Sequence, residues 1–190
     1  VVRPDGAVVG GAFFSSGNTS PFRWNAGSSA EATRSGTAGR VSGNGLVAVG
    51  GNSLGTGNGF IWPLGSGPQD FGSGSEIPNA VNGDGSVLAG GPNGSPPFRY
   101  AKATGIVPLE GWSIVRDMDQ SGDVIVGTGP SGKGLVWIKG RGTLVLVDWL
   151  ATAGVPNNWS DLSCTAVSSD GRVCGGTAKN LSGQFEGFRL

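Results

Sequence analysis

The chain has 190 residues, 38 of them Gly and 11 Pro, with 13 Lys plus Arg against 13 Asp plus Glu. That charge balance gives no electrostatic support for a phosphate-tracking groove, and so much Gly and Pro argues against a helical protein. The absence of His removes His-based triads and the commonest zinc sites, while 37% apolar and 14% charged residues describe neither a disordered chain nor one with a membrane-length apolar run.

Val1 is not an initiator Met and no signal segment follows it, so the chain reads as a processed product or an excised piece. A fixed period runs through it. Turn dipeptides end in Gly6, Gly45, Gly85, Gly122 and Gly171, at spacings of 39, 40, 37 and 49. Two residues after each anchor stands a Val (Val8, Val47, Val87, Val124, Val173), and five after it a Gly (Gly11, Gly50, Gly90, Gly127, Gly176). Four before it the residue is always apolar: Val2, Val41, Val81, Met118, Val167. These columns divide the chain into one repeat domain, 1–190, of five copies at about 1–34, 35–75, 76–112, 113–161 and 162–190.

Each copy opens as a β-hairpin. Asp-Gly or Asn-Gly between apolar runs predicts a tight turn with two central residues at positive φ. The position four before the anchor then faces the position three after it, pairing Val2/Val9, Val41/Ala48, Val81/Leu88, Met118/Ile125 and Val167/Cys174. All ten are apolar or Cys, as a buried cross-strand column requires, and the Val after each anchor points to the opposite face. Both faces of the hairpin are therefore expected to be partly buried.

A third strand follows as an aromatic-rich triplet: Phe22-Arg23-Trp24, Phe60-Ile61-Trp62, Phe98-Arg99-Tyr100, Leu135-Val136-Trp137 and Phe188-Arg189-Leu190. A fourth is visible at Gly105–Leu109 and Gly142–Val147. Four short strands per period of about 40 describe a propeller blade, with a β-solenoid as the less fitting alternative. The last interval is longer by roughly a dozen residues, an insertion within Val147–Leu162, and Asp148–Ala153 is expected to form a turn or two of helix before Gly154 and Pro156. The expected fold is all-β, a propeller of about five blades, its closing blade shared by the two termini; the alternative leaves open edges for a neighbouring chain.

Units such as Asn79–Gly90 followed by Pro97-Phe98-Arg99-Tyr100 and Thr104–Leu109, and the last copy's Thr165–Val173 with Glu186-Gly187-Phe188-Arg189, resemble the bacterial extracellular HAF-repeat family, with Trp149-Leu150 and Trp159 adding to the likeness. The resemblance spans nearly the whole chain through short motifs, and it departs in having no His and no Ala before the Phe. It implies an exported or surface-attached location and a repeat architecture, and it carries no reaction.

Several residue groups bear on chemistry. Cys164 and Cys174 flank one hairpin, but in a flat ladder they point to opposite faces, so a bridge would need a bulge or a shifted turn; two buried thiols are the expectation. Asp117, Asp119, Ser121 and Asp123 alternate like the start of a calcium loop, but position twelve is Thr128, so hairpin-turn chemistry is preferred and no metal site is expected. No phosphate loop or nucleophile motif is present, and a carboxylate pair from Asp117, Asp119, Asp148 or Asp161 means little without geometry, so the chain is read as no enzyme and as needing no cofactor.

The triplet residues Trp24, Trp62, Tyr100 and Trp137, with Arg23, Arg99 and Arg189 on the other face, read first as packing between blades with Arg at a rim or channel. Their functional reading is a ring of sites where an aromatic plane stacks on a sugar. Trp112, Trp149 and Trp159 break the repeat, and Trp149 and Trp159 lie in the insertion, where a loop-borne site is expected. The expected function is a non-catalytic structural or adhesive module, extracellular or at the cell surface. The alternatives are a carbohydrate-binding propeller and a subunit of an appendage or virion. Glycans or neighbouring protein subunits are the expected partners, with no nucleic acid and no membrane insertion.

Overall fold

The computed structural model describes residues 8–15, 18–25, 36–51, 58–73, 75–91, 96–155 and 159–190. Their seventeen strands form five antiparallel sheets in chain order. The first pairs β1 (Val8–Ser15) with β2 (Asn18–Asn25). The second runs β3 (Thr37–Val41), β4 (Val47–Gly51), β5 (Gly59–Pro63) and β6 (Gln69–Phe71). The third runs β7 (Pro78–Val81), β8 (Val87–Gly90), β9 (Phe98–Ala101) and β10 (Gly105–Pro108). The fourth runs β11 (Ile114–Met118), β12 (Val124–Thr128), β13 (Gly134–Ile138) and β14 (Gly142–Val145). The fifth has three described strands, β15 (Ser160–Val167), β16 (Cys174–Lys179) and β17 (Phe185–Arg189). Each sheet is a meander, so strands adjacent in sequence are adjacent in space.

The predicted register holds at four copies: Val41 faces Ala48, Val81 faces Leu88, Met118 faces Ile125 and Val167 faces Cys174. The first copy's Val2 lies outside the described residues. The turn itself differs from expectation. Gly45, Gly85, Gly122 and Gly171 have φ near +70 to +80°, whereas Asn44, Asp84, Ser121 and Asp170 do not have positive φ. Each anchor N–H donates to the carbonyl three residues back, as from Gly85 to Asn82. The loop therefore has four residues, a turn closed by one left-handed Gly. A two-residue and a four-residue loop about the same centre give the same register, which is why the pairing survived the wrong turn type.

A bulge sits six residues before the anchor in all four of these hairpins, between Ala38 and Arg40, Pro78 and Ala80, Val115 and Asp117, and Cys164 and Ala166. The bulged residues are Gly39, Asn79, Arg116 and Thr165, which share no side-chain type. Opposite the bulge stands the second Gly column. A Cβ on Gly90, Gly127 or Gly176 would lie about 2 Å from the carbonyl oxygen of Ile77, Ile114 or Ser163, so this column answers to strand geometry within each sheet.

Successive sheets stack face to face, with their first strands β3, β7, β11 and β15 neighbouring one another in order. One face of each sheet meets the opposite face of the next. Val49 of the second sheet packs with Leu88 and Phe98 of the third; Val87 and Ala89 of the third pack with Ile125 and Met118 of the fourth. Both faces are thus buried, as the alternating columns predict. Helix α1 (Leu146–Thr152) falls at the insertion and starts two residues earlier than expected, with Leu146 and Leu150 buried.

Candidate functional site

The turns are fastened by a polar column that the repeat alignment did not single out. Three residues before the anchor, the second to fifth copies place Ser42, Asn82, Asp119 and Ser168. Each accepts, through a side-chain oxygen, the N–H of the Val two after the anchor: Val47 at 3.0 Å, Val87 at 2.9 Å, Val124 at 2.8 Å and Val173 at 2.9 Å. Ser42, Asn82 and Asp119 are buried, so these bonds satisfy groups that water cannot reach. The signal was available as a polar position wedged between an apolar column and the turn.

Neighbouring turns are also joined to one another. The Asn44 N–H donates to the Gly83 carbonyl at 2.8 Å, the Gly83 N–H to Gln120 at 2.8 Å, and the Gln120 N–H to Ser169 at 3.0 Å. Where these turns converge lies a polar cavity of about 350 Å³, lined among others by Arg40, Asn82, Asp117, Asp119 and Gln120. The residues of the calcium-like alternation are engaged in this framework. Asp119 accepts from the N–H and hydroxyl of Ser121, Asp117 from the Val167 N–H at 3.0 Å, and Asp123 pairs with Lys139 at 3.0 Å. Among the described residues, no group of three His, Cys, Asp or Glu could hold a metal ion.

Trp62, Tyr100 and Trp137 lie on β5, β9 and β13, the third strands of their sheets, as the spacing predicted. Trp62 is buried beside Ala48 and Phe60, and its indole N–H donates to the Ser66 carbonyl at 2.8 Å. Tyr100 meets Phe71 edge-on at 5.2 Å between centroids. The Arg99 guanidinium stands 4.7 Å from the Trp137 ring centroid of the next sheet and donates to the Gly122 carbonyl at 3.3 Å. Burial pulls Arg99 below the usual guanidinium range, with Asp123 opposing the shift. Arg99 therefore reaches from the third sheet to the ring of Trp137 and the Gly122 turn of the fourth. Arg189 is exposed on β17, and Trp24 and Arg23 lie on β2, where backbone pairing alone is described. Trp112 is buried, its N–H donating to Thr143 Oγ1 at 2.9 Å.

The two tryptophans of the insertion line openings. Trp159, tilted against Phe188 at 5.8 Å, borders a cleft of about 310 Å³ with Lys133, Asp148 and Asp161. Asp161 has a φ of +50°, unusual for a residue other than Gly, and pairs with Lys179 at 2.9 Å. Trp149 borders a larger apolar cavity of about 420 Å³ between the fourth and fifth sheets. Val124, Val126, Val136 and Ile138 form one wall, Cys164, Val167, Cys174 and Leu190 the other, and Leu146, Leu150, Ala153 and Val155 close the helix side.

Cys164 and Cys174 form a disulfide with Cα atoms 5.9 Å apart, which corrects the expectation of two free buried thiols. The bulge at Thr165 is the physical reason. It sets Cys164 opposite Gly176 and leaves Val167 opposite Cys174, so the extra residue brings both sulfurs to one face. A disulfide fits an exported protein.

Neither a family model nor a curated protein matches the sequence. Among solved structures that match, a "putative TolB from Agrobacterium tumefaciens" superposes with a TM-score of 0.59 at 14% identity, covering 100% of this chain and 79% of that one. The fold is all-β and propeller-like.

Proposed function

We propose that this chain is an exported, non-catalytic, five-bladed propeller of the HAF-repeat kind, acting as a structural or adhesive module at the cell surface or outside the cell, its closing blade shared by the termini. The observation that carries this reading is where the repeated columns go. The anchor Gly packs on the Val of the preceding sheet, the polar residue before the anchor closes its own turn, and backbone hydrogen bonds at the neighbouring turn positions join one turn to the next. Residues repeated to build a framework leave the distinguishing chemistry to the insertion. Small-angle scattering tests the closure. A closed single domain of this length should keep a radius of gyration of about 16 Å at every concentration, whereas open sheet edges would give a value that grows with concentration. Turnover of any glycan by the purified protein would overturn the non-catalytic reading.

The second reading, a carbohydrate-binding propeller, is favoured by the cleft in which Trp159 stands with Asp148, Asp161 and Lys133. An aromatic face beside carboxylates and a cation matches the stacking and hydroxyl bonding that sugars need. A glycan array separates the two readings: binding that is lost in Trp159→Ala supports a lectin, and no binding to any glycan removes it.

A further inference from the structure

The cavity between the fourth and fifth sheets has a cause that can be read along the repeat. Three positions after the anchor, the second sheet places Ala48 beside Trp62, the third and fourth place Leu88 and Ile125, and the fifth places Cys174. At the last triplet position the second, third and fourth sheets place Trp62, Tyr100 and Trp137; the fifth places Leu190. Cys174 is tied into the bridge to Cys164 and cannot swing to fill the gap. Neither the Leu or Ile of the third and fourth sheets nor the aromatic of the second, third and fourth is present here, and Cys174 and Leu190 both line the resulting space.

The insertion lies over this space and leaves it open. Trp149 and Leu150 of α1 border it, and the chain bends back beyond the helix, with the Val155 N–H donating to the Leu150 carbonyl at 3.0 Å, so that Ala153 and Val155 stand at its edge. A volume of about 420 Å³ falls within the range of small-molecule sites and equals roughly fourteen times a water's share of liquid volume. The walls are aliphatic apart from Trp149 and the disulfide, so water is a poor occupant. One charged side chain lines it, Arg172, exposed beside the turn. Asp170 shares the field of Arg172 and is the acidic neighbour that a ligand anion would meet there.

We propose that this cavity binds a small aliphatic carboxylate, its hydrocarbon chain between the fourth and fifth sheets under α1 and its carboxylate on the Arg172 guanidinium. A volume of about 420 Å³ holds an aliphatic chain of about eight to twelve heavy atoms, and Arg172, the one charged residue of an otherwise apolar lining, favours an anionic end over a neutral one. The site shares no lining residue with the Trp159 cleft, so it stands whether the module is structural or sugar-binding.

Displacement of 8-anilinonaphthalene-1-sulfonate fluorescence by octanoate and by octan-1-ol tests this on the full chain. The probe should bind, and octanoate should displace it about tenfold better than octan-1-ol, the difference expected of one charge-assisted contact. Arg172→Ala should abolish that preference while octan-1-ol binding stays the same. Ala153→Phe, at the cavity edge on an exposed position, should weaken both ligands alike. Failure of the probe to bind, equal displacement by the two ligands in the unaltered protein, or an unchanged preference in Arg172→Ala would overturn the proposal. Because Arg172 is exposed, loss of folding does not confound its variant.

Discussion

Gly122 has a φ of +74°, and a Cβ built on it would lie 2.8 Å from the Cβ of Val87 in the preceding sheet. The same relation joins Gly85 to Val47 and Gly171 to Val124, so two columns that look independent in sequence form one contact repeated between neighbours. Gly122→Ala should therefore cost in two ways. The left-handed conformation disfavours any side chain by about 1–2 kcal/mol, and the collision with Val87 adds to it. Urea unfolding of Gly122→Ala, Val87→Ala and the double variant measures the second part. We expect the double variant to be more stable than the sum of the singles by about 1 kcal/mol. Strict additivity would show that the two residues do not meet in solution.

Asp119 is buried and accepts both the Val124 N–H at 2.8 Å and the hydroxyl of Ser121. Replacing it by Ala leaves the Val124 N–H without that acceptor, a loss of about 1–3 kcal/mol. Asp119→Asn keeps an oxygen in the same place, as Asn82 does in the third sheet, and should cost less than half as much. Thermal melts of the two variants check the order; equal losses would mean that charge, and not the hydrogen bond to Val124, is what the turn requires.

What the sequence made legible, and what it hid, follows from the same residues. Alternation identifies buried faces, so Val81 opposite Leu88 and Met118 opposite Ile125 could be paired without coordinates. The bulge could not be read, because Gly39, Asn79, Arg116 and Thr165 have nothing in common and the distortion lies in the backbone. That one omission misplaced Cys164 by a face and hid the disulfide. Periodicity also directed attention to what recurs, such as Trp62 and Tyr100, whereas the apolar cavity arises from what fails to recur at Cys174 and Leu190. The insertion and its Trp149 were visible as a break in the period, but which sheets it would cover depends on packing between elements far apart in sequence.

Asp84 precedes its anchor Gly and accepts the hydroxyl of Ser86 at 2.6 Å and the Ser86 N–H at 2.9 Å. These bonds hold its carboxyl below the ordinary aspartate value of 3.8, and Ser168 and the Arg172 N–H act likewise on Asp170. A carboxyl whose value is lower in the folded chain contributes stability that is fully present above its unfolded value and disappears as pH falls through the folded one. The stability gap between the parent and Asp84→Asn should therefore be constant from neutral pH down to about 5 and close below about 4. Unfolding curves at half-unit steps of pH check this. A gap that persists undiminished to pH 2.5 would show that Ser86 does not favour the ionised form.

The disulfide joins residues ten apart across the bulge of the fifth sheet and forms part of the wall of the apolar cavity. Closing a loop of this size restricts the unfolded chain and contributes about 2–3 kcal/mol. Protein recovered from an oxidising compartment should show no thiol that titrates under denaturing conditions, and Cys164→Ser with Cys174→Ser should lower the midpoint of urea unfolding accordingly. The loss should also be local. Cys174 and Cys164 sit on β16 and β15, so amides of β16 should exchange faster in the variant while those of β12, in the centre of the fourth sheet, keep their protection relative to the global stability. Two titratable thiols in the protein so recovered, or a variant whose β16 amides exchange no faster than the parent's, would contradict a bridge that holds this sheet together.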